Sequence, residues 1–292
     1  MQLKEEDLNI IRQTLLYNAE RLPLSCGNFY VKESCDKPIS MYSQGIKEPD
    51  IVPGIKELAA QIIATDLGLI APKCFLAKID DNYYILSEDL NNYGVFITMD
   101  SFLDFHYVDN SLILIWNYIE NIEKLPNRFD LMIDLVKTYL LDMFIANWDR
   151  NMTNYGVLVI HENNRLGLID HEYCLSLEFM ATIRSYIVDE RENDVKKIFL
   201  KKQKDIEYFL TNYSPLLTQI FIDYYNFLTP KYFKNVLKRI EKEHKLLGNS
   251  LDKKIVIPNK KELVETYNKN YDIIRETMKT HYGTRKRLLK HP

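Results

Sequence analysis

Glycine is scarce in this chain: nine residues of 292, at positions 27, 45, 54, 68, 94, 156, 167, 248 and 283. No two of them fall into GxGxxG or GxxxxGK. A Rossmann dinucleotide fingerprint and a Walker A loop are both excluded, because each needs glycine where backbone closes on phosphate. Cysteine is as sparse. Cys26, Cys35, Cys74 and Cys174 form no CxxC pair, so a disulfide scaffold and a zinc ribbon lose support and reduced thiols are expected. An excess of one charge is missing too. The 38 Lys and Arg against 41 Asp and Glu leave a net charge of −3, which speaks against a protein that coats nucleic acid by bulk charge. No direct nucleic-acid binding is expected. No apolar run approaches the ~20 residues of a membrane helix. The opening Met1-Gln2-Leu3-Lys4-Glu5-Glu6-Asp7 is acidic and lacks the apolar core of a signal peptide. The expectation is a soluble, cytoplasmic protein with no membrane span. What is present is enough apolar residue to build a core, 46% against 27% charged. The length suits two domains, or one domain in two lobes, at roughly 150 residues each.

The coarse order is α+β. Residues 3–20 carry Leu8, Ile11, Leu15 and Leu16 at helical spacing. The run Asn28-Phe29-Tyr30-Val31-Lys32 is aromatic and β-branched, as a strand requires. Residues 37–54 hold Pro38, Gly45, Pro49, Pro53 and Gly54 and read mostly as loop. A helix is predicted over 55–67, with Ile55, Leu58, Ala59, Ile62 and Ile63 on one face and Gly68 placed to end it. Cys74–Ile79 and Tyr83–Leu86 flank Asp80-Asp81-Asn82 as a hairpin. The character changes after Leu90. A strong helix is predicted over 129–146, then a polar loop, then two short strands, Tyr155–Ile160 and Arg165–Ile169. From about 189 onward the pattern is helical. Ser214-Pro215 and Thr229-Pro230 set a capping hydroxyl before a first-turn proline. Asn259 and Glu262 resemble a capping box before a last helix that Gly283 can end. The division is an N-terminal lobe over 1–90 and a larger helical lobe over 91–292.

The segment from Asn147 to Asp170 carries the chemistry. Asp149 and Asn154 lie five apart in a loop after a buried helix, and Asp170 follows the hairpin sixteen residues later. This spacing suits phosphoryl transfer. One carboxylate takes or orients the proton of an attacking hydroxyl, while an amide and a second carboxylate hold Mg²⁺, a hard ion that prefers oxygen. Asp and Asn also favour turns for local hydrogen bonding. The helix before, the hairpin between and the terminal Asp170 argue against turn chemistry alone.

Leu141-Asp142-Met143-Phe144-Ile145-Ala146-Asn147-Trp148-Asp149-Arg150, followed by Asn154-Tyr155-Gly156, resembles the HipA-like serine/threonine kinases. Their signature is roughly N-x-D-[RM]-x3-N within a protein-kinase-like fold. Leu168-Ile169-Asp170-His171 resembles their metal-binding aspartate after the hairpin. The resemblance implies a two-lobed fold, Asp149 as catalytic base, and Asn154 and Asp170 as Mg²⁺ ligands. It also implies a lysine on an apolar strand for the ATP phosphates, which Lys32 matches, and a helix carboxylate to orient it, for which Glu57 stands in the right order. Leu67-Gly68-Leu69-Ile70-Ala71-Pro72 resembles the family's L-G-[LI]-x-x-P run. Ser87-Glu88-Asp89-Leu90 falls where the hinge between lobes should bind adenine, with Glu88 and Leu90 as the candidate main-chain contacts. Gly27 is the one glycine where a phosphate-covering loop is expected. The resemblance spans about residues 25–180.

ATP and Mg²⁺ are therefore the expected cofactors, and the expected activity is transfer to Ser or Thr of a protein, with autophosphorylation. Several family members act as toxins, so an antitoxin-like partner is a further expectation. Two other functions fit the same residues: a small-molecule or phosphoinositide kinase, and a nucleotide-binding pseudokinase or interaction module. The sparse glycine loop, Leu24 to Asn28, is the main departure from the pattern. Asn151 stands where the family often has His, and no A-P-E sequence closes the segment 176–195. His171-Glu172-x-Cys174 offers metal-ligand types without a second cluster, and Arg285, Lys286, Arg287 and Lys290 make a basic tail that reads as a solvated helix end.

Overall fold

The structure is a computed structural model that describes residues 29–36, 48–103, 115, 119–122, 125–147, 150, 152–161, 163–171, 174–175, 215–248 and 253–285. The expected helix over 3–20, Gly27, Ser214, the 176–195 segment and most of the basic tail lie outside them, as does Asp149.

The smaller lobe is built on an antiparallel hairpin and a third strand. β1 (Phe29–Asp36) pairs with β4 (Asn82–Glu88), which pairs with β3 (Cys74–Ile79). Asp80 takes a left-handed φ of 54° in the β3–β4 turn, a conformation that Asp tolerates better than most residues. Alternation assigns the two faces. Phe29, Val31, Phe75, Ala77, Ile79, Tyr84 and Leu86 form a small outer cluster with Leu247. Cys74, Leu76 and Ile85 face the main core, together with Ile55, Leu58, Ile62 and Ile63 of α1 (Val52–Asp66). Each of those α1 side chains is essentially buried, worth roughly 1.5–3 kcal/mol apiece relative to exposure. Ser34 Oγ accepts from the Gly54 N–H at 3.1 Å and donates to the Asp50 carbonyl at 2.6 Å, which fixes the start of α1 against β1. Gly68 ends the helix as expected. Its φ is +72°, and the Leu69 N–H returns to the Ala64 carbonyl at 2.9 Å.

The larger lobe centres on α3 (Arg128–Phe144) and a three-stranded sheet. The sheet order is β5 (Val95–Thr98), β6 (Tyr155–Ile160), β7 (Asn163–Leu168). Gly156 sits where β6 meets β5, and a Cβ there would stand 2.1 Å from the Ile97 carbonyl oxygen. Only glycine allows that approach. α2 (Met99–Leu103) follows β5, and α4 (Pro215–Phe227), α5 (Pro230–Glu243) and α6 (Lys260–Arg285) complete the lobe. The Thr229 hydroxyl accepts from the Tyr232 N–H at 3.2 Å, the cap its sequence predicts. Phe233 of α5 stacks on Tyr267 of α6 with ring centroids 4.2 Å apart.

Three features depart from the sequence expectation. α1 begins at Val52, inside the stretch expected as loop, with Pro53 tolerated in its first turn. The last helix runs to Arg285, past Gly283, because one glycine costs a helix only about 1 kcal/mol. Between α5 and α6 the chain leaves the helical pattern. β8 (Lys245–Leu247) pairs in parallel with β3, and β9 (Lys253–Lys254) pairs with β8. The small lobe's sheet thereby becomes six-stranded, in the order β2-β1-β4-β3-β8-β9, with β2 (Glu48–Pro49) at the other edge. The C-terminal helices also grip the end of α1. Tyr224 donates to the Leu67 carbonyl at 3.0 Å, and Tyr232 and Arg239 both reach the Asp66 carboxylate. Arg165 of β7 bonds the Gly68 carbonyl at 2.8 Å and pairs with the buried Asp134 of α3.

Candidate functional site

The register of β1 decides where Lys32 goes. Val31 belongs to the outer cluster, so Lys32 projects from the opposite face, toward α1. Its ammonium lies 2.8 Å from Asp170 Oδ1 and 3.4 Å from Glu57 Oε2. Three elements thus bring together residues 25 and 138 positions apart in the chain. Glu57 is 2% exposed. Burial by itself would raise its carboxyl pKa, but the Lys32 ammonium and the bonds and charge of His171 outweigh that and hold it near 2. The His171 N–H donates to Glu57 Oε2 at 2.8 Å, and its ring Nδ1 stands 3.8 Å from Oε1. One buried carboxylate therefore holds both the lysine and the turn that follows Asp170. Asp170 itself has φ 56°, and Ala146 and Leu175, on the adjoining loop ends, have φ 47° and 56°. Backbone held in this region by non-glycine residues is concentrated at functional sites.

Asn154 is placed beside Asp170 through the backbone. The Ile169 N–H donates to the Asn154 carbonyl at 3.0 Å, at the point where β6 begins and β7 has just ended. The oxygen donors of Asn154 and Asp170 fit a hard divalent cation, and the half-exposed Lys32 ammonium fits an anionic phosphate. Asn154 Oδ1 accepts from the Thr153 hydroxyl at 3.4 Å.

At the far end of β4, the Glu88 N–H is engaged by the Lys73 carbonyl and the Leu90 carbonyl by the Tyr93 N–H, both at 2.9 Å. The Leu90 side chain is buried against Gly167, where a Cβ would come within 2.8 Å of its Cδ1. The Glu88 carboxylate is buried as well. Tyr93 donates to one of its oxygens, and Oε1 has no partner among the described residues. The Cys174 thiol donates to the Lys56 carbonyl, and burial pushes its pKa up. Among the described residues no three His, Cys, Asp or Glu side chains converge as a metal site would need. No helix among them is long and apolar enough to cross a membrane.

The floor of the site contains a pair without an assigned role in the sequence reading. The Arg150 guanidinium grips Asp142 through Nε and Nη2, at 2.9 and 3.0 Å, and Asn147 Nδ2 reaches the same carboxylate at 3.0 Å. The available signal was Asp142 itself, a charged residue on the apolar face of an amphipathic helix, where a partner is obligatory.

No protein-family model matches the chain, and no curated protein does. Solved structures do match. The proinflammatory kinase CtkA of Helicobacter pylori superposes with a TM-score of 0.50 at 14% identity, over 90% of this chain and 91% of that one. This chain has a protein-kinase-like fold. HipA of Shewanella oneidensis MR-1, solved with HipB and operator DNA of a toxin–antitoxin system, gives a TM-score of 0.40 at 8% identity. That match covers 77% of this chain and 55% of that one. The resemblance of the motifs to HipA-like kinases thus extends to a fold shared with a kinase.

Proposed function

We propose that this chain is an ATP-dependent kinase that transfers the γ-phosphate to a Ser or Thr hydroxyl of a protein, itself included. The observation that supports this most is the meeting of Lys32, Glu57 and Asp170. In this reading Lys32 holds the α- and β-phosphates and Glu57 keeps the ammonium in place from its buried position. Asn154 and Asp170 would hold Mg²⁺, which supplies charge neutralisation on the phosphates when bound. Asp149 orients the acceptor hydroxyl and takes its proton as the oxygen attacks the γ-phosphorus. The bond to the β-phosphate oxygen breaks in line, and ADP leaves. Glu88 and Leu90 are the proposed hinge contacts for adenine, and Gly27 is the proposed glycine of the phosphate-covering loop. The lobes divide near Leu90, and an antitoxin-type protein partner follows from the motif resemblance.

The test is transfer from ATP labelled on the γ-phosphate, with wild type and Asp149→Asn compared. Label on Ser or Thr of protein, reduced about 10³-fold or more in the variant, is the expected result. Label found only on a small molecule would replace the protein acceptor with another. Nucleotide binding without any transfer by the wild type would make the chain a binding module.

A further inference from the structure

Arg150 is almost fully buried, yet one carboxylate does not use up its donors. Nε and Nη2 engage Asp142 side-on. Nη1 is directed elsewhere: it donates to the Asn154 carbonyl at 2.6 Å and to the Ile169 carbonyl at 2.9 Å. Those carbonyls belong to one candidate metal ligand and to the residue before the other. The Ile169 N–H bonds the same Asn154 carbonyl at 3.0 Å. A single nitrogen therefore links the start of β6 to the chain leaving β7, where Asn154 and Asp170 stand.

The anchor of this nitrogen is itself fixed. Asp142 lies on α3 between the buried Leu141 and Phe144, and Asn147 bonds both its carboxylate and its main-chain carbonyl. A bare guanidinium beside a cation site would repel the cation, but the Asp142 carboxylate neutralises it. The planar fork matters as well. A lysine offers all its donors from one atom and cannot hold a carboxylate and two carbonyls in separate directions.

From this we propose that Arg150, charge-balanced by Asp142, is a positioning residue that sets the spacing and orientation of Asn154 and Asp170 for a divalent cation. The proposal rests on the kinase reading above and goes beyond it by assigning the metal site's geometry to a buried residue that touches neither metal nor substrate. Its decisive readout is metal affinity apart from catalysis. Mn²⁺ serves as the paramagnetic probe, titrated into the whole chain with saturating ADP. ADP binding in EDTA is measured alongside, with folding followed by circular dichroism.

Arg150→Lys is expected to stay folded and to bind metal-free ADP as the wild type does. Its Mn²⁺ affinity should fall about tenfold or more, the usual cost of losing a residue that orients metal ligands. Unchanged Mn²⁺ affinity in folded Arg150→Lys overturns the proposal, and so does an equal loss of metal-free ADP binding. If Arg150→Lys does not fold, Asp142→Asn is read by the same criteria, since it keeps the guanidinium but removes its counter-charge. Failure of both to fold assigns Arg150 to stability instead. A wild type that binds no ADP under either condition refutes the kinase reading itself, an outcome visible without any variant.

Discussion

Two cation–carboxylate pairs flank the candidate site, and water reaches them differently. Lys32 and Asp170 meet at 2.8 Å with 32% and 38% of their side chains exposed. Arg150 and Asp142 meet at 2.9 Å with 5% and 8% exposed. An exposed pair gains little net energy, because solvent screens it and two long side chains must be ordered. Its partners can be exchanged at low cost, as a lysine must do if it is to release a carboxylate and take a phosphate. A buried pair is locked: either ion left alone in the core would carry the full desolvation cost. The same chemistry thus gives an exchangeable pair where water reaches it and a fixed one where water does not. Glu57 stands between these extremes. It is buried like Asp142 but is paired with the exposed Lys32.

Breaking the buried pair should give the largest effect on stability. Asp142→Ala is expected to cost about 3–5 kcal/mol, read as a lowered midpoint of urea unfolding. Glu57→Gln should come next, at about 3 kcal/mol near neutral pH, with a distinct pH signature. Folding lowers the Glu57 pKa from 4.5 to about 2. The wild type therefore has the whole of this contribution above about pH 4.5 and loses it as pH falls toward 2. The variant should lack that part of the acid-induced loss, which urea midpoints taken between pH 5.5 and pH 2.5 would show. Asp170→Asn should be the mildest for stability, below about 1 kcal/mol, since its partner stays solvated. Transfer of labelled phosphate by the same variant should nonetheless fall about 10²-fold or more. An Asp170→Asn midpoint lowered as far as that of Asp142→Ala would erase the distinction between the two pairs.

Much of the small lobe was legible in the residues. The period of Ile55, Leu58, Ile62 and Ile63 located α1, Gly68 its end, and Asp80-Asp81-Asn82 the hairpin turn, because each rests on local sterics and one apolar face. Lys32 and Glu57 were legible only through their order along the chain, strand before helix, and the sheet register then turned Lys32 toward Glu57 of α1. Glu88 and Leu90 fell at the end of β4 as expected, but two of their main-chain groups are engaged by Lys73 and Tyr93. The parallel β8 was not legible. Lys245–Leu247 is three residues long and becomes a strand by lying beside β3, which no local pattern announces.

What the sequence alone determined is most of the longer elements and a set of candidate residues: a strand lysine, a helix glutamate, an Asp-x4-Asn loop and an aspartate after a hairpin. The elements follow from periodicity and the Asp-x4-Asn loop from spacing, which are properties of neighbouring residues, while Lys32 and Glu57 follow from the resemblance to HipA-like kinases. Only the tertiary structure decided that Lys32 meets Asp170 across 138 positions, that β8 returns to the first sheet, and that Arg150 faces inward to hold two carbonyls. The physical reason is the same in each case. A charge or a short strand has no preferred partner in the local chain, and acquires one only when the fold brings a distant segment beside it.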